Sequence, residues 1–314
     1  MKVEAKQMSK VPKVAICYDF DKTLCPDDMQ VFSFIPSVGM DVAEFWEQSN
    51  KMAMDNKMDM NLSWMKKMID ESKRKNKSIK RETFCSLGKD VTMYHGVDSW
   101  FERINDYGRQ KNIEVEHYII SSGLKEIIEG SVIAPYIKRI YASTFMYDVD
   151  NIAVWPAQAV NYTNKTQFIF RIAKGAFDEN DNNVNQNMQA NELYIPYENM
   201  IYIGDSDTDI PSMRVVKNNR RKVYTLFKEK RIDYFAPADY SEGEPLFGLA
   251  KQIIDMISTR EALKRETERL QRLVDSFVTY ETVKQINDGF ANDSDKIDME
   301  ILQSLKNTIE GNVD

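Results

Sequence analysis

Residues 13–24 read Lys-Val-Ala-Ile-Cys-Tyr-Asp-Phe-Asp-Lys-Thr-Leu. The apolar run Val14–Tyr18 predicts a buried strand, and Asp19 and Asp21 follow it at once. In an open parallel sheet, ligands bind at the carboxyl ends of the strands, above all where the strand order reverses. Two carboxylates two residues apart can divide the work, because one can attack or hold a metal while the other handles a proton. The same pattern also occurs as a plain acidic turn or as a metal site for sugar nucleotides, so alone it leaves these alternatives open.

The composition is that of an ordinary globular protein longer than one usual domain. The chain has 314 residues, of which 42% are hydrophobic and 29% charged, and its length favours two domains or one domain with a large insertion. No apolar run is long enough to cross a membrane, and residues 1–12 lack the apolar core of a signal peptide. The formal net charge of −7 argues against a nucleic-acid binder. We therefore predict a cytoplasmic protein with no nucleic-acid or membrane partner, and the oligomeric state stays open.

The cysteines and histidines carry little catalytic signal. Cys17, Cys25 and Cys85 cannot all pair and lack metal-ligand spacing, which fits a reducing compartment. Cys25 lies near the acidic stretch and could be a reactive thiol, but no histidine is close in sequence, so a half-buried spectator is favoured. His117 lies in an apolar strand pattern, where a structural role is favoured over a ligand role.

A long helical segment follows the first predicted strand. Apolar residues recur at intervals of three and four over residues 42–53, 62–69 and 100–107. This periodicity predicts an all-helical insert over residues 26–112.

Strand character returns at Val115–Ile120, and Ser121-Ser122-Gly123 follows before a predicted helix over Leu124–Glu129. A serine beside a helix N-terminus can bind phosphate, but serine is also a common helix cap, so the signal is modest alone. Ile137–Ala142 and Ala153–Trp155 predict further extended segments around a turn at residues 148–151.

The second half of the sequence repeats the pattern of polar residues after strands. Asn164-Lys165-Thr166 opens a predicted helix that ends at Ala173, and an asparagine-rich loop follows over residues 175–191. Met200–Ile203 predicts another buried strand, and Gly204-Asp205-Ser206-Asp207-Thr208-Asp209 comes directly after it. The spacing of these acids imitates a calcium-binding loop, but Ile210 and Val216 replace the required Gly and Glu, so that interpretation fails. A last strand is predicted over Val223–Phe227 and helix from Leu249 onward.

Four polar sites thus stand in order, at strand ends or helix starts: Asp19 with Asp21, Ser121, Lys165, and Asp205 with Asp209. The chain resembles the haloacid dehalogenase (HAD) superfamily, whose four motifs come in this order with a cap inserted after the first. The similarity covers roughly residues 13–240 and leaves the C-terminal helices unexplained. It implies an α/β fold with a doubly wound, Rossmann-like parallel sheet from residues 1–25 and 113–250. A helical cap would cover residues 26–112, and a helical extension residues 251–314.

The resemblance also implies a Mg²⁺-dependent phosphatase that works through an aspartyl-phosphate. Asp19 would be the nucleophile, and Asp21 would protonate the leaving oxygen and then activate water. Ser121, Ser122 and Lys165 would bind the phosphoryl group. Mg²⁺ would be held by Asp19, the backbone carbonyl of Asp21, and Asp205, with Asp209 either a direct ligand or a partner of one.

The helical insert and the sequence Ile-Ser-Ser-Gly-Leu-Lys-Glu-Ile-Ile-Glu resemble the phosphoserine phosphatase group in particular. Ser122-Gly123 stands where that group usually has two glycines, and Ser206 stands where it has glycine, which leaves phosphoserine as the substrate open. Asp28 lies where the group carries an acid for the substrate amine, although a helix-start aspartate is the simpler interpretation. A cap of this size should close over the site, so we expect a small phosphorylated metabolite as the substrate.

Three other functions remain to be weighed. A phosphotransferase or mutase would use the same intermediate with another hydroxyl as acceptor. Dehalogenase chemistry is disfavoured, because Asp21 supplies an acid that a halide leaving group does not need. A non-catalytic scaffold, binding through the C-terminal helices, is disfavoured by the intact acids at the motif sites.

Overall fold

The structure is a computed structural model, and it describes residues 11–205, residue 209 and residues 233–289. The predicted strand Val223–Phe227 lies outside the described residues, as does the end of the predicted C-terminal extension from residue 290. The chain divides into two compact units, Met1–Asp255 and Met256–Asp314.

Five strands pair in one sheet within the described residues, in the order β4-β3-β2-β1-β5. They are β1 Lys13–Tyr18, β2 Glu114–Leu124, β3 Ile137–Tyr147, β4 Ala153–Gln158 and β5 Met200–Ile203. All neighbours are parallel except β4, which runs antiparallel to β3 at the edge. The predicted α/β fold is confirmed. Because β1 lies between β2 and β5, the strand order reverses at β1, where a doubly wound sheet forms its ligand site.

Helices occupy the connections between the strands. Between β1 and β2 lie α1 Met29–Phe32, α2 Phe34–Ser37, α3 Val42–Asn56, α4 Met60–Arg74, α5 Arg81–Ser86 and α6 Val97–Gln110. Later in the chain come α7 Lys125–Glu129, α8 Lys165–Lys174 and α9 Pro245–Gly289. The carboxylates of Asp41 and Asp59 accept backbone N–H groups in the first turns of α3 and α4, which explains where those helices begin. No helix among the described residues combines the length and the apolar character needed to span a membrane.

Helix α6 packs directly on the sheet. The Phe101 ring meets the rings of Tyr18 and His117 edge to face, with centroids 5.6 Å and 5.0 Å away. The Tyr94 backbone N–H donates to the Leu24 carbonyl at 2.9 Å. The chain has therefore returned to the segment that follows β1 before α6 begins. The cap boundary at residue 112 stays a prediction, and we propose that the inserted part ends before Val97.

The opposite face of the sheet is covered by α8. Buried side chains of β1, β2 and β3 pack there against Phe168, Ile169 and Ile172, and the Tyr141 ring stacks on Phe168 with centroids 4.6 Å apart. This packing fixes the helix axis. It therefore also fixes the position of Lys165, the first residue of α8, at the carboxyl edge of the strands.

Several predicted boundaries differ from the structure, and the helix predicted from Leu249 onward already begins at Pro245. The strand predicted to end at Ile120 continues to Leu124, which still pairs with Ser143 of β3, so α7 is shorter than predicted. Strands β3 and β4 both run past their predicted ends. The segment predicted as an asparagine-rich loop contains two short 3₁₀ helices, Asn182–Asn185 and Ala190–Glu192, and hydrogen bonds from α8 hold it in place. The Arg171 guanidinium donates to the carbonyls of Asp178, Glu179 and Asp181.

Candidate active site

Asp19 is the first residue after β1, and backbone hydrogen bonds fix it there. Its N–H donates to the Ile203 carbonyl at the end of β5 at 2.9 Å, and the Phe20 N–H donates to Asp19 Oδ1 at 2.7 Å. Asp19 as a whole is 7% exposed. Because β1 and β5 are neighbours, the residues that follow both strands meet at one edge.

Lys165 contacts carboxylates that follow both of these strands. Its Nζ donates to Asp19 Oδ2 at 2.7 Å and to Asp209 Oδ1 at 2.6 Å, and the side chain is buried. The Tyr202 hydroxyl also donates to Asp209 Oδ1, at 2.9 Å. A Cβ at Gly204 would lie 2.7 Å from the Asp209 carboxyl group, so this position has no room for a side chain. Three of the predicted sites, carrying Asp19, Lys165 and Asp209, therefore meet in direct contact.

The carboxylates of this cluster crowd one another. Those of Asp19, Asp205 and Asp209 offer oxygens that all lie within 4.8 Å of one another. Burial and, after it, the charge of Asp209 raise the pKa of Asp19, Lys165 opposes both, and the resulting pKa is about 7. Burial disfavours the charged Lys165 ammonium, but Asp19 and Asp209 outweigh burial and raise the pKa of Lys165 above its ordinary value. The set thus combines hard oxygen donors with an excess of negative charge, which fits a divalent cation such as Mg²⁺.

Asp21 lies beside this cluster and faces different partners. Its Oδ1 accepts a hydrogen bond from the Met29 N–H at 2.8 Å, and a Cβ at Gly123 would lie 2.9 Å from its Oδ2. Burial, followed by the charges of Asp19 and Asp28, raises the pKa of Asp21 well above its ordinary value. A raised pKa favours the protonated carboxyl group, which is the form that a general acid requires.

Ser121 and Ser122 lie near the carboxyl end of β2, which is at the same edge of the sheet as Asp19. Ser121 is buried in β2, and its Oγ accepts a hydrogen bond from the Gly123 N–H at 3.0 Å. Ser122 is half-buried, and its carbonyl accepts a hydrogen bond from Ser143 Oγ at 3.0 Å. Gly123 in turn approaches Asp21. The phosphate-binding role of the two serines stays a prediction.

Sequence reasoning missed contacts that complete the site. The Thr23 hydroxyl donates to Asp205 Oδ1 at 3.4 Å, and the Tyr240 hydroxyl donates to the Thr23 carbonyl at 2.8 Å. Thr23 lies in the acidic stretch and could have been singled out there. Tyr240 follows Thr23 by 217 residues, and no local pattern marks it. Tyr202 lies in a predicted strand, but nothing in the strand pattern indicates that its hydroxyl reaches Asp209.

Other residues considered from the sequence now have partners. Asp28 pairs with Lys22, whose Nζ lies 2.8 Å from Asp28 Oδ1. Cys25 is buried, and burial raises the pKa of its thiol, which agrees with the expected spectator role. His117 is a structural residue as predicted. Its ring nitrogens lie 3.0 Å from the Tyr18 hydroxyl and 3.0 Å from Asn105 Oδ1.

Comparison with known families agrees with this geometry. The model of the haloacid dehalogenase-like hydrolase family matches residues 16–214, which include every site residue named above except Tyr240. The chain belongs to this family.

Its individual relatives are distant. An uncharacterized protein of Borreliella burgdorferi is 26% identical to this HAD hydrolase, in a match that covers 74% of this chain and 94% of the relative. A HAD family hydrolase of Salmonella enterica serovar Typhi is 20% identical, with a TM-score of 0.44, over 65% of this chain and 60% of that one. A probable phosphoserine phosphatase of Vibrio cholerae is 11% identical, with a TM-score of 0.49, over 80% of this chain and 68% of that one. These similarities do not identify a substrate.

Proposed function

We propose that the protein is a Mg²⁺-dependent phosphatase that hydrolyses a small phosphomonoester through an aspartyl-phosphate intermediate. The observation that carries this proposal is the contact of one buried lysine, Lys165, with two carboxylates, Asp19 and Asp209, at the point where the strand order reverses. A nucleophile and a charge-compensating cation held together in a buried site are what phosphoryl transfer requires.

Asp19 is the proposed nucleophile. Its Oδ1 is oriented by the Phe20 N–H and its Oδ2 by Lys165, so the carboxylate does not have to reorganise before it attacks phosphorus. A bond forms between a carboxylate oxygen of Asp19 and phosphorus while the bond from phosphorus to the ester oxygen breaks. Lys165 remains beside the acyl phosphate and offsets negative charge.

Asp21 is the proposed proton donor and acceptor. Its raised pKa favours the protonated form, which donates to the leaving oxygen. The carboxylate left behind can then take a proton from the water that attacks phosphorus, and the bond from phosphorus to Asp19 breaks to release inorganic phosphate. The Met29 N–H holds one of its oxygens throughout. Ser121 and Ser122 are the proposed donors to the phosphoryl oxygens.

Asp19, Asp205 and Asp209 would hold Mg²⁺, together with the backbone carbonyl of Asp21. When bound, the cation would supply positive charge that neutralises the carboxylates and the phosphoryl group. Without it, burial and the charge of Asp209 raise the pKa of Asp19, which favours the protonated carboxyl group over the nucleophilic carboxylate.

Helices α1 to α5 are the proposed cap, and a small phosphorylated metabolite in the cytoplasm is the proposed substrate. Support comes from the hydrogen bond between Tyr94 and Leu24, which brings the two ends of the insert together directly after Asp21. A closed cap of this kind would exclude bulk solvent and bulky substrates.

A panel of phosphorylated metabolites, assayed for free phosphate with MgCl₂ and with EDTA, tests the proposal. Magnesium-dependent release of phosphate from small monoesters supports it. Transfer of the phosphoryl group to a second hydroxyl without release of phosphate would point to a phosphotransferase, and no turnover of any member would count against catalysis.

A further inference from the structure

Tyr240 is buried behind the loop that carries the catalytic acids. Its side chain is 1% exposed, and its hydroxyl donates to the Thr23 carbonyl at 2.8 Å. Thr23 itself is buried. A buried carbonyl that loses its donor is costly, so this hydrogen bond restrains the backbone of the loop two residues after Asp21.

Tyr240 can act as a fixed point because its own position is determined by several contacts. Its N–H donates to the His95 carbonyl at 2.9 Å, and its carbonyl accepts from the Arg103 guanidinium at 2.6 Å. The Trp100 ring packs perpendicular to its ring with centroids 5.0 Å apart. Gly96 has φ +80°, and a Cβ there would lie 2.6 Å from the Tyr240 carbonyl carbon. Backbone and side chain are thus both held.

Thr23 also contacts the carboxylate cluster of Asp19, Asp205 and Asp209. Thr23 Oγ1 donates to Asp205 Oδ1 at 3.4 Å, which is long for a hydrogen bond between two oxygens. A small displacement of Thr23 is therefore enough to strengthen or lose this bond. Asp205 is exposed, whereas Asp19 and Asp209 are buried.

We propose that Tyr240 is a positioning residue for the magnesium ligand Asp205, acting through Thr23. The inference rests on the proposed function for the identity of the metal. Partners that orient a metal ligand typically contribute about 10- to 100-fold to metal affinity. The inference assigns Tyr240 a role in metal binding beyond filling the core.

The test is calorimetric titration of the full chain with MgCl₂ alone, so it does not depend on turnover. The variants are Tyr240→Phe, Thr23→Val and the double variant, with Thr23→Ser as the conservative replacement that keeps the hydroxyl. Tyr141→Phe is the matched control, because Tyr141 is equally buried and its hydroxyl also donates to a backbone carbonyl, that of Phe177, at 3.0 Å.

We expect Tyr240→Phe and Thr23→Val each to weaken Mg²⁺ binding by about tenfold, and the double variant to be no weaker than Thr23→Val. Thr23→Ser and Tyr141→Phe should bind Mg²⁺ like the wild type. If phosphate release is detected, excess Mg²⁺ should restore the kcat of Tyr240→Phe.

Wild-type affinity in Tyr240→Phe, or fully additive losses in the double variant, would overturn the inference. If Tyr240→Phe does not fold, the Thr23→Val variant provides the test. Wild-type Mg²⁺ affinity in Thr23→Val would show that Thr23 does not position Asp205, and this would overturn the inference. The positioning role and the proposed reaction can fail separately. If the variants show the expected order of Mg²⁺ affinities but the wild type hydrolyses no phosphomonoester, the proposed reaction is wrong and the positioning role of Tyr240 is still supported.

Discussion

Lys165 Nζ lies 2.7 Å from Oδ2 of Asp19, although 146 residues separate the two in sequence. The contact exists because α8 packs across the sheet and places its first residue at the carboxyl end of β1. Both side chains are buried, so neither charge is compensated by solvent. The fold therefore determines the contact between the proposed nucleophile Asp19 and its counter-charge Lys165.

Removing this counter-charge should destabilise the metal-free protein. We expect Lys165→Met to lose about 3–5 kcal/mol of unfolding free energy, the usual cost of breaking a buried ion pair, because Asp19 and Asp209 lose their shared partner. The measurement is urea unfolding in EDTA. Lys174→Met is the control, since the Lys174 ammonium on the same helix donates only to the backbone carbonyls of Val184 and Gln186 within the contacts described. Equal stability losses in the two variants would contradict this prediction.

Asp21→Asn should slow turnover without preventing phosphorylation. Loss of a positioned acid and base typically costs about 10²–10⁴ in rate, while Asp19 and Lys165 remain in place. Rapid-quench analysis should detect residual turnover, with phosphoenzyme accumulating if its hydrolysis suffers more than its formation. Loss of phosphorylation as complete as in Asp19→Asn would show that the division of roles is wrong.

His117 should make the protein acid-sensitive. Burial lowers its pKa to about 3, whereas histidine in an unfolded chain titrates near its ordinary value of 6.5. The unfolded state therefore binds more protons between these values, and the stabilisation present above pH 6.5 is lost as the pH falls toward 3. By this linkage, His117 alone costs about 2 kcal/mol between pH 7.5 and pH 5.

Urea unfolding of the wild type and His117→Gln at both pH values measures this contribution. The variant should lose less stability than the wild type on acidification. An identical loss in the two proteins would mean that His117 remains uncharged in both states or charges in both.

The insert should restrict substrate size. We expect higher kcat/KM for small phosphometabolites than for phosphopeptides or a phosphoprotein, because closure over the site excludes bulky substrates. Replacing residues 26–93 by a short linker should reduce this preference, since Tyr94 already lies beside Leu24. A preference of the intact protein for the phosphoprotein would show that the insert is not a lid over a small site.

The sequence predicts the sheet and the site best where the signal is local. An apolar run followed by acids identifies the ends of β1 and β5, because each pattern lies within ten residues, and the helix start at Lys165 is equally local. The end of β2 was predicted too early, since serine and glycine favour turns, whereas pairing of Leu124 with Ser143 extends the strand. That pairing depends on β3, which local propensity does not include.

Contacts between distant segments are what the sequence could not supply. The packing of α6 on Tyr18, and the hydrogen bond from Tyr240 to Thr23, join segments far apart in the chain. Helical periodicity predicts α6 itself, but an amphipathic stripe does not indicate which surface the helix packs against.

The central claim is that Asp19 carries the phosphoryl group. The most direct measurement is acid-quenched intact-protein mass spectrometry of the wild type and Asp19→Asn, after incubation with MgCl₂ and a substrate found in the metabolite panel, followed by peptide mapping. We predict a phosphorylated wild type with the group on the peptide containing Asp19, and no phosphorylation of a folded Asp19→Asn. A phosphoenzyme in Asp19→Asn, or turnover by that variant at the wild-type rate, would contradict the account.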